Sequence, residues 1–122
     1  MIRKILSVAF AATLATGLIF PPAYAATAAL VAKVTKTLVS ADNRWGGCMA
    51  YLSVDLATVL PTCPSRWVTF SCTGDFTDPV RAYRMLDQAQ LALATGSWVY
   101  VQITDDMLHN GYCFANRIDV SK

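Results

Sequence analysis

A chain of 122 residues is the size of one domain, and ten Lys/Arg against eight Asp/Glu leave a net charge of only +2. From Lys33 onward eight Lys/Arg face eight Asp, with no Glu anywhere in the chain. That balance excludes the basic face needed to neutralise nucleic-acid phosphates or to fasten a protein to anionic lipid.

Residues 1–25 read as a secretory signal peptide. Arg3 and Lys4 give a charged start, Ile5 to Phe20 is an unbroken apolar run, and Pro21-Pro22 close it before Ala23-Tyr24-Ala25. Small residues two apart form an A-x-A-like cleavage signal. The apolar run is 16 residues, shorter than the roughly 20 that cross a bilayer. No lipobox-type cysteine follows. The expected mature chain is therefore a single domain, residues 26–122, exported to the periplasm or secreted. It carries no membrane insertion once the signal is removed.

Leu30–Ser40 is rich in β-branched residues and reads as a strand. Ala41–Gly47 is turn chemistry, because Asp42 and Asn43 bond locally and the Gly pair accepts positive φ. Cys48–Ala57 alternates as a second strand. Leu60–Arg66 reads as a loop, with Pro61 and Pro64 around Cys63. Trp67–Cys72 is a third strand with Val68, Phe70 and Cys72 on one side.

A helix follows. Asp78 is a good N-cap, Pro79 suits the first helical position, and Gly96 is the stop. Val80, Tyr83, Leu86, Ala89 or Gln90, and Leu93 recur at helical spacing and predict one apolar stripe. Ser97–Ile103 is a fourth strand with Val99, Val101 and Ile103 on one face and Trp98, Tyr100 and Gln102 on the other. Thr104–Gly111 reads as a polar loop, and Tyr112–Val120 as the last strand.

The expected class is mainly β with one helix, in the order β-β-β-α-β-β. The economical architecture is a small five-stranded OB-fold-like barrel whose open end takes the helix stripe, since that fold has its helix between the third and fourth strands. A small open α+β sheet and a helix-capped sandwich are the alternatives.

All four cysteines lie in the mature part, and an exported chain meets an oxidising compartment, so they predict two disulfides. The gaps of 15, 9 and 41 residues do not match the close pairs of zinc sites. Four cysteines allow three connectivities. In a hairpin of strands two and three with its tip near Leu60, Cys48 and Cys72 face each other. In an OB-type barrel strands three and five run parallel, so Cys63 and Cys113 start as neighbours. Geometry thus favours Cys48–Cys72 with Cys63–Cys113.

The stretch "FSCTGDF" followed by "MLDQAQLALATGSWVYVQITDD" resembles the B subunits of AB5 toxins of the subtilase-cytotoxin kind. There a cysteine strand leads to a helix with a Gln-Ala pair, a Thr-Gly stop and a Val-rich strand. The matching positions are Cys72, Gln88, Ala89, Thr95, Gly96 and Val99, with Cys48 upstream. The resemblance covers about a third of the chain by its motifs. It implies an OB fold, assembly of copies and binding of cell-surface glycans.

OB-folds bind ligands beside the loops joining strands one to two and four to five. The first loop offers Asn43, Arg44 and Trp45 beside Asp42. The second offers Asp105, Asp106, His109 and Asn110, with Tyr112 adjacent. An aromatic platform with planar hydrogen-bonding groups suits a sugar. Each also has a plainer role: Trp45 packed over its turn, Asp42-Asn43 as turn formers, and His109 solvent-facing beside a tight Asn110-Gly111 turn. Asp105, Asp106 and His109 are too few for a metal site, and no cofactor is expected.

Catalysis is not expected, with no Glu, one His and no G-x-S-x-G elbow. The leading expectation is an exported, lectin-like binding module for a glycan or protein ligand. Alternatives are a periplasmic inhibitor or immunity-type protein acting on an envelope enzyme, and a structural envelope component. Trp98 and Tyr100, if the helix does not cover them, form a face for homo-oligomer contacts.

Overall fold

Residues 27–39 form β1 (Thr27–Val39), three residues longer at its start than the β-branched run suggested. The first half of β1 pairs with a later strand, Thr27–Lys33 lying antiparallel to Trp98–Thr104. A register shift between Val34 and Lys36 then bends it toward the next strand. The protein is seen here as a computed structural model that describes residues 18–20 and 25–122. Most of the signal-peptide reading of residues 1–25 therefore lies outside the described residues.

The remaining strands are β2 (Cys48–Leu52), β3 (Trp67–Thr69), β4 (Trp98–His109) and β5 (Tyr112–Ser121), with a helix, α1 (Pro79–Thr95). The described residues are mainly β, five strands plus one α-helix, as the alternation of apolar residues implied. Every strand has two neighbours, and the pairings close in the order β1-β2-β3-β5-β4. β3 and β5 are parallel, meeting at Thr69 and Phe114, while the other pairs are antiparallel. Neither the open sheet nor the sandwich accounts for that closed ring.

Side chains at alternate strand positions fill the interior. Ala32, Val68, Phe70, Val99, Val101 and Ile103 are all fully buried there. The disulfides are Cys48–Cys72 and Cys63–Cys113. The first ties the start of β2 to the segment after β3, as the hairpin argument required. The second ties the β2–β3 loop to β5.

Three expectations are corrected. First, the second strand ends at Leu52, not Ala57, because Asp55 caps a short 3-10 turn at Leu56–Thr58. Second, Thr104–Gly111 is not a loop. β4 runs on to His109, and only Asn110-Gly111 turns, with φ of 50° and 84°, the both-positive geometry of a two-residue hairpin. The polar run misled because β4 loses register with β5 between Thr104 and Leu108, and a bulged segment tolerates polar residues.

Third, the helix buries a stripe that shares only Leu86 and Ala89 with the expected one. Asp78 caps it and Gly96 ends it at φ 64°, as expected. Its buried residues are Ala82, Leu86, Ala89 and Ala92, packed toward β1, β5 and β2. Val80, Tyr83 and Leu93 stay exposed. Among the described residues no helix is long and apolar enough to cross a membrane.

Candidate functional site

The site begins with the bulge in β1. Beyond it Lys36 pairs with Tyr51 and Leu38 with Met49, so Leu38 shares the outward side of Met49. Residues opposite each other in an antiparallel ladder point the same way. On β3 the inward place belongs to Val68, and Phe70 just past its end is inward too, which turns Trp67 outward beside Tyr51. Their rings meet edge to face at 5.0 Å.

The turn after β1 carries the next aromatic. Asp42 caps the 3-10 turn Asn43–Trp45, its carboxylate accepting from the Arg44 N–H at 2.8 Å. Gly46 follows at φ 73° and turns the chain back into β2. Trp45 is thereby set down beside Leu38, Met49, Trp67 and Tyr112, and these five residues line an open groove of about 180 Å³. They come from β1, the 3-10 turn, β2, β3 and β5.

Two cations stand over these rings. The Arg44 guanidinium lies 4.9 Å from the Trp45 ring centre and is paired with Asp42 at 2.6 Å. The backbone hydrogen bond from Arg44, and then its side chain, hold the Asp42 carboxyl below its usual range. Lys36 Nζ lies 6.0 Å from Tyr51 and 5.9 Å from Trp67, near the outer limit of attraction to a ring face.

Beneath Trp45 sits a buried polar cluster. The Thr69 hydroxyl donates to the Trp45 carbonyl at 2.7 Å. His109 Nε2 and Ser71 Oγ share a hydrogen bond of 2.9 Å, and the Phe76 N–H donates to Ser71 Oγ at 3.2 Å. Phe76 stacks on the His109 ring at 4.2 Å and meets Phe114 edge-on at 5.6 Å. Burial pushes the His109 pKa down, with the Asp75 carboxylate pulling the other way. Ser71, His109 and Asp75 do not form a nucleophile relay. Ser71 Oγ and the Asp75 carboxylate, 3.7 Å away, both approach Nε2, whereas a relay needs the acid on the opposite nitrogen. Ser71 is also fully buried.

The structure therefore divides the expected site residues. Trp45 and Tyr112 meet in the groove, and Arg44 stands over Trp45. Asn43 is exposed on the same turn, and Asn110 is exposed at the β4–β5 turn. His109 is not solvent-facing. It is buried under Gly46, close enough that a Cβ on that glycine would sit 2.6 Å from the ring. Asp105 and Asp106 are not in the groove lining. Asp105 bonds Ala26 and Thr62 instead, and Asp106 is exposed, its N–H donating to the Thr104 hydroxyl.

Sequence reasoning missed Trp67, Tyr51, Leu38, Met49 and Lys36. The alternation in "WVTF" held the signal for Trp67, since Val68 and Phe70 inside place it outside. Nothing in the sequence announced the bulge that turns Leu38 outward. On the far side of the barrel, Trp98 is 45% exposed and Tyr100 37%, so the helix does not cover them. Lys33 lies 4.2 Å over Trp98 and Arg117 5.3 Å over Tyr100. Arg117 also pairs with Asp119 at 2.6 Å, which raises the pKa of the first and lowers that of the second.

Comparison with protein-family models, with curated proteins and with solved structures finds no match for this chain.

Proposed function

We propose that this protein is an exported OB-fold binding module, not an enzyme, and that it holds a sugar ring of a glycan in the groove between Trp45, Trp67 and Tyr112. The OB-fold assignment is supported by the closed strand order and the helix between β3 and β4. Ligands of that fold lie on the face of strands two and three beside the first loop, where this groove is. The observation that carries the reading is the meeting of three aromatic rings from three separate elements at one opening. The apolar face of a pyranose stacks on such rings, while Arg44 over Trp45 and Lys36 near Trp67 offer donors to its hydroxyls.

The groove, at about 180 Å³, is smaller than the roughly 300–1,000 Å³ of sites that enclose drug-sized ligands. One ring fits, so the reading is of a terminal sugar, in the manner of a lectin-like toxin B subunit. A glycan array followed by titration tests it. Trp67→Ala is expected to weaken binding at least tenfold, with the disulfide-braced fold retained by circular dichroism. Silence on every glycan, with recovery of an envelope hydrolase from a periplasmic extract, would replace it with the inhibitor reading.

The exposed face of Val31, Trp98 and Tyr100 on β1 and β4 is, in the same reading, where copies of the chain meet. Trp98→Ser is expected to change the native mass without loss of fold. An unaltered mass would remove this face as an assembly surface.

A further inference from the structure

Asp105, expected at the ligand site, has other partners. The Ala26 N–H donates to its Oδ1 at 2.7 Å, and the Thr62 hydroxyl donates to its Oδ2 at 2.6 Å. In return the Asp105 N–H donates to the Ala26 carbonyl at 3.2 Å. The bonds from Thr62 first and Ala26 second hold the Asp105 carboxyl below its usual range. This arrangement stands where β4 departs from its ladder between Thr104 and Leu108, one residue ahead of β1.

The nitrogen that Asp105 accepts from is that of Ala26, and the peptide bond preceding it follows Ala25. Ala25 is exposed, and with Ala23 it makes the small-x-small pattern of a cleavage signal. We propose that the Ala25–Ala26 bond is the processing site of this chain and that Asp105 is the built acceptor for the α-ammonium which processing frees. The proposal rests on the export reading of the sequence and is independent of what the groove binds.

The step is hydrolysis by an envelope peptidase. Water adds across the Ala25–Ala26 bond, Ala25 leaves with a carboxylate, and Ala26 keeps the nitrogen as an amine that takes up a proton near neutral pH. The nitrogen already lies at hydrogen-bond distance from the carboxylate and has no need to move. A neutral N–H donor becomes an N⁺–H donor on the same oxygen, and such charge-assisted bonds are about twice as strong as neutral ones. Processing thus tightens the seam between the start of β1 and the bulge of β4, so the matured chain is better held together than its precursor.

The full chain, expressed with export and recovered from outside the cytoplasm, gives the test through its intact mass and N-terminal sequence. A product beginning at Ala26 is expected. One that keeps residues 1–25, or begins elsewhere, overturns the proposal. In the exported product Asp105→Asn is expected to lower Tm by about 4 °C or more. It is also expected to remove the loss of stability above about pH 8, where the α-amino group discharges. Thr62→Val, which leaves the carboxylate in place, is expected to keep that alkaline loss. An alkaline loss that persists unchanged in Asp105→Asn refutes the ammonium contact. If that variant is too unstable to purify, selective acetylation of the α-amino group of the native protein gives the same decision. Glycan binding is expected to be the same in all these forms, so failure here and failure of the groove reading are separately visible.

Discussion

Gly46→Ala is the substitution whose cost the structure resolves most fully. Gly46 sits at φ 73°, and a Cβ there would lie 2.6 Å from Thr69 Oγ1 and 2.6 Å from His109 Cδ2. The left-handed backbone costs a non-glycine residue about 1–2 kcal/mol. The overlap adds about 1–3 kcal/mol, the range for overpacking a filled interior. Neither neighbour can step aside freely, because Thr69 is bonded to the Trp45 carbonyl and His109 is wedged by Ser71 and Phe76. The expected loss is therefore about 2–5 kcal/mol, read by chemical denaturation at neutral pH. Gly111→Ala is the control. Its φ is 84°, but nothing lies within 4 Å of an added Cβ, so only the backbone cost of about 1–2 kcal/mol applies. Equal losses for the two substitutions would refute the claim that the buried cluster is packed against the Trp45 turn.

The same cluster predicts a pH dependence. Burial holds the His109 pKa below its ordinary value, so as pH falls through about 6.5 the unfolded chain binds a proton that the folded chain refuses. Stability is then intact above that pH and declines below it, and His109→Gln is expected to flatten this limb in denaturation midpoints measured across it. Asp75→Asn removes the one influence pulling the pKa up and is expected to steepen the limb. The two disulfides close loops of 24 and 50 residues, for which chain entropy gives about 3.5 and about 4 kcal/mol. Replacing Cys63 and Cys113 with Ala is accordingly expected to cost more than replacing Cys48 and Cys72, and a reversed order would contradict the entropic account.

The sequence was most readable where one local rule decided the outcome. Asp78, Pro79 and Gly96 punctuate the helix by chemistry confined to a few neighbouring atoms, and both helix ends are where those residues place them. Val99, Val101 and Ile103 alternate and are all buried. The cysteine pairing followed from a hairpin of strands two and three and from the parallel third and fifth strands expected of an OB-type barrel, and both disulfides are as expected. The helix face was misread because large apolar residues at helical spacing ordinarily mark the buried stripe. Here the buried stripe is Ala82, Leu86, Ala89 and Ala92, with Val80 and Tyr83 outside. A second apolar set at helical spacing, mostly alanine, competed with the one of larger residues, and the rotation of the helix on the assembled sheet chose between them.

The groove shows the same division at finer scale. Trp45 and Tyr112 were visible because they flank turns. Leu38 and Met49 were not, because each reads as an interior residue of an apolar strand. One irregularity between Val34 and Lys36 shifts the register and puts Leu38 on the outside next to Met49. With the bulge removed, Leu38 would return to the inner side and the groove would lose its wall while the barrel kept its strands. The groove thus depends on a local fault in the ladder between Val34 and Lys36 and on one left-handed glycine at Gly46. Gly46 packs against Thr69 and His109, and Thr69 bonds the Trp45 carbonyl. Ser71 in turn bonds His109, with the exposed Asp75 beside it, so the turn that carries Trp45 is packed on a buried polar cluster.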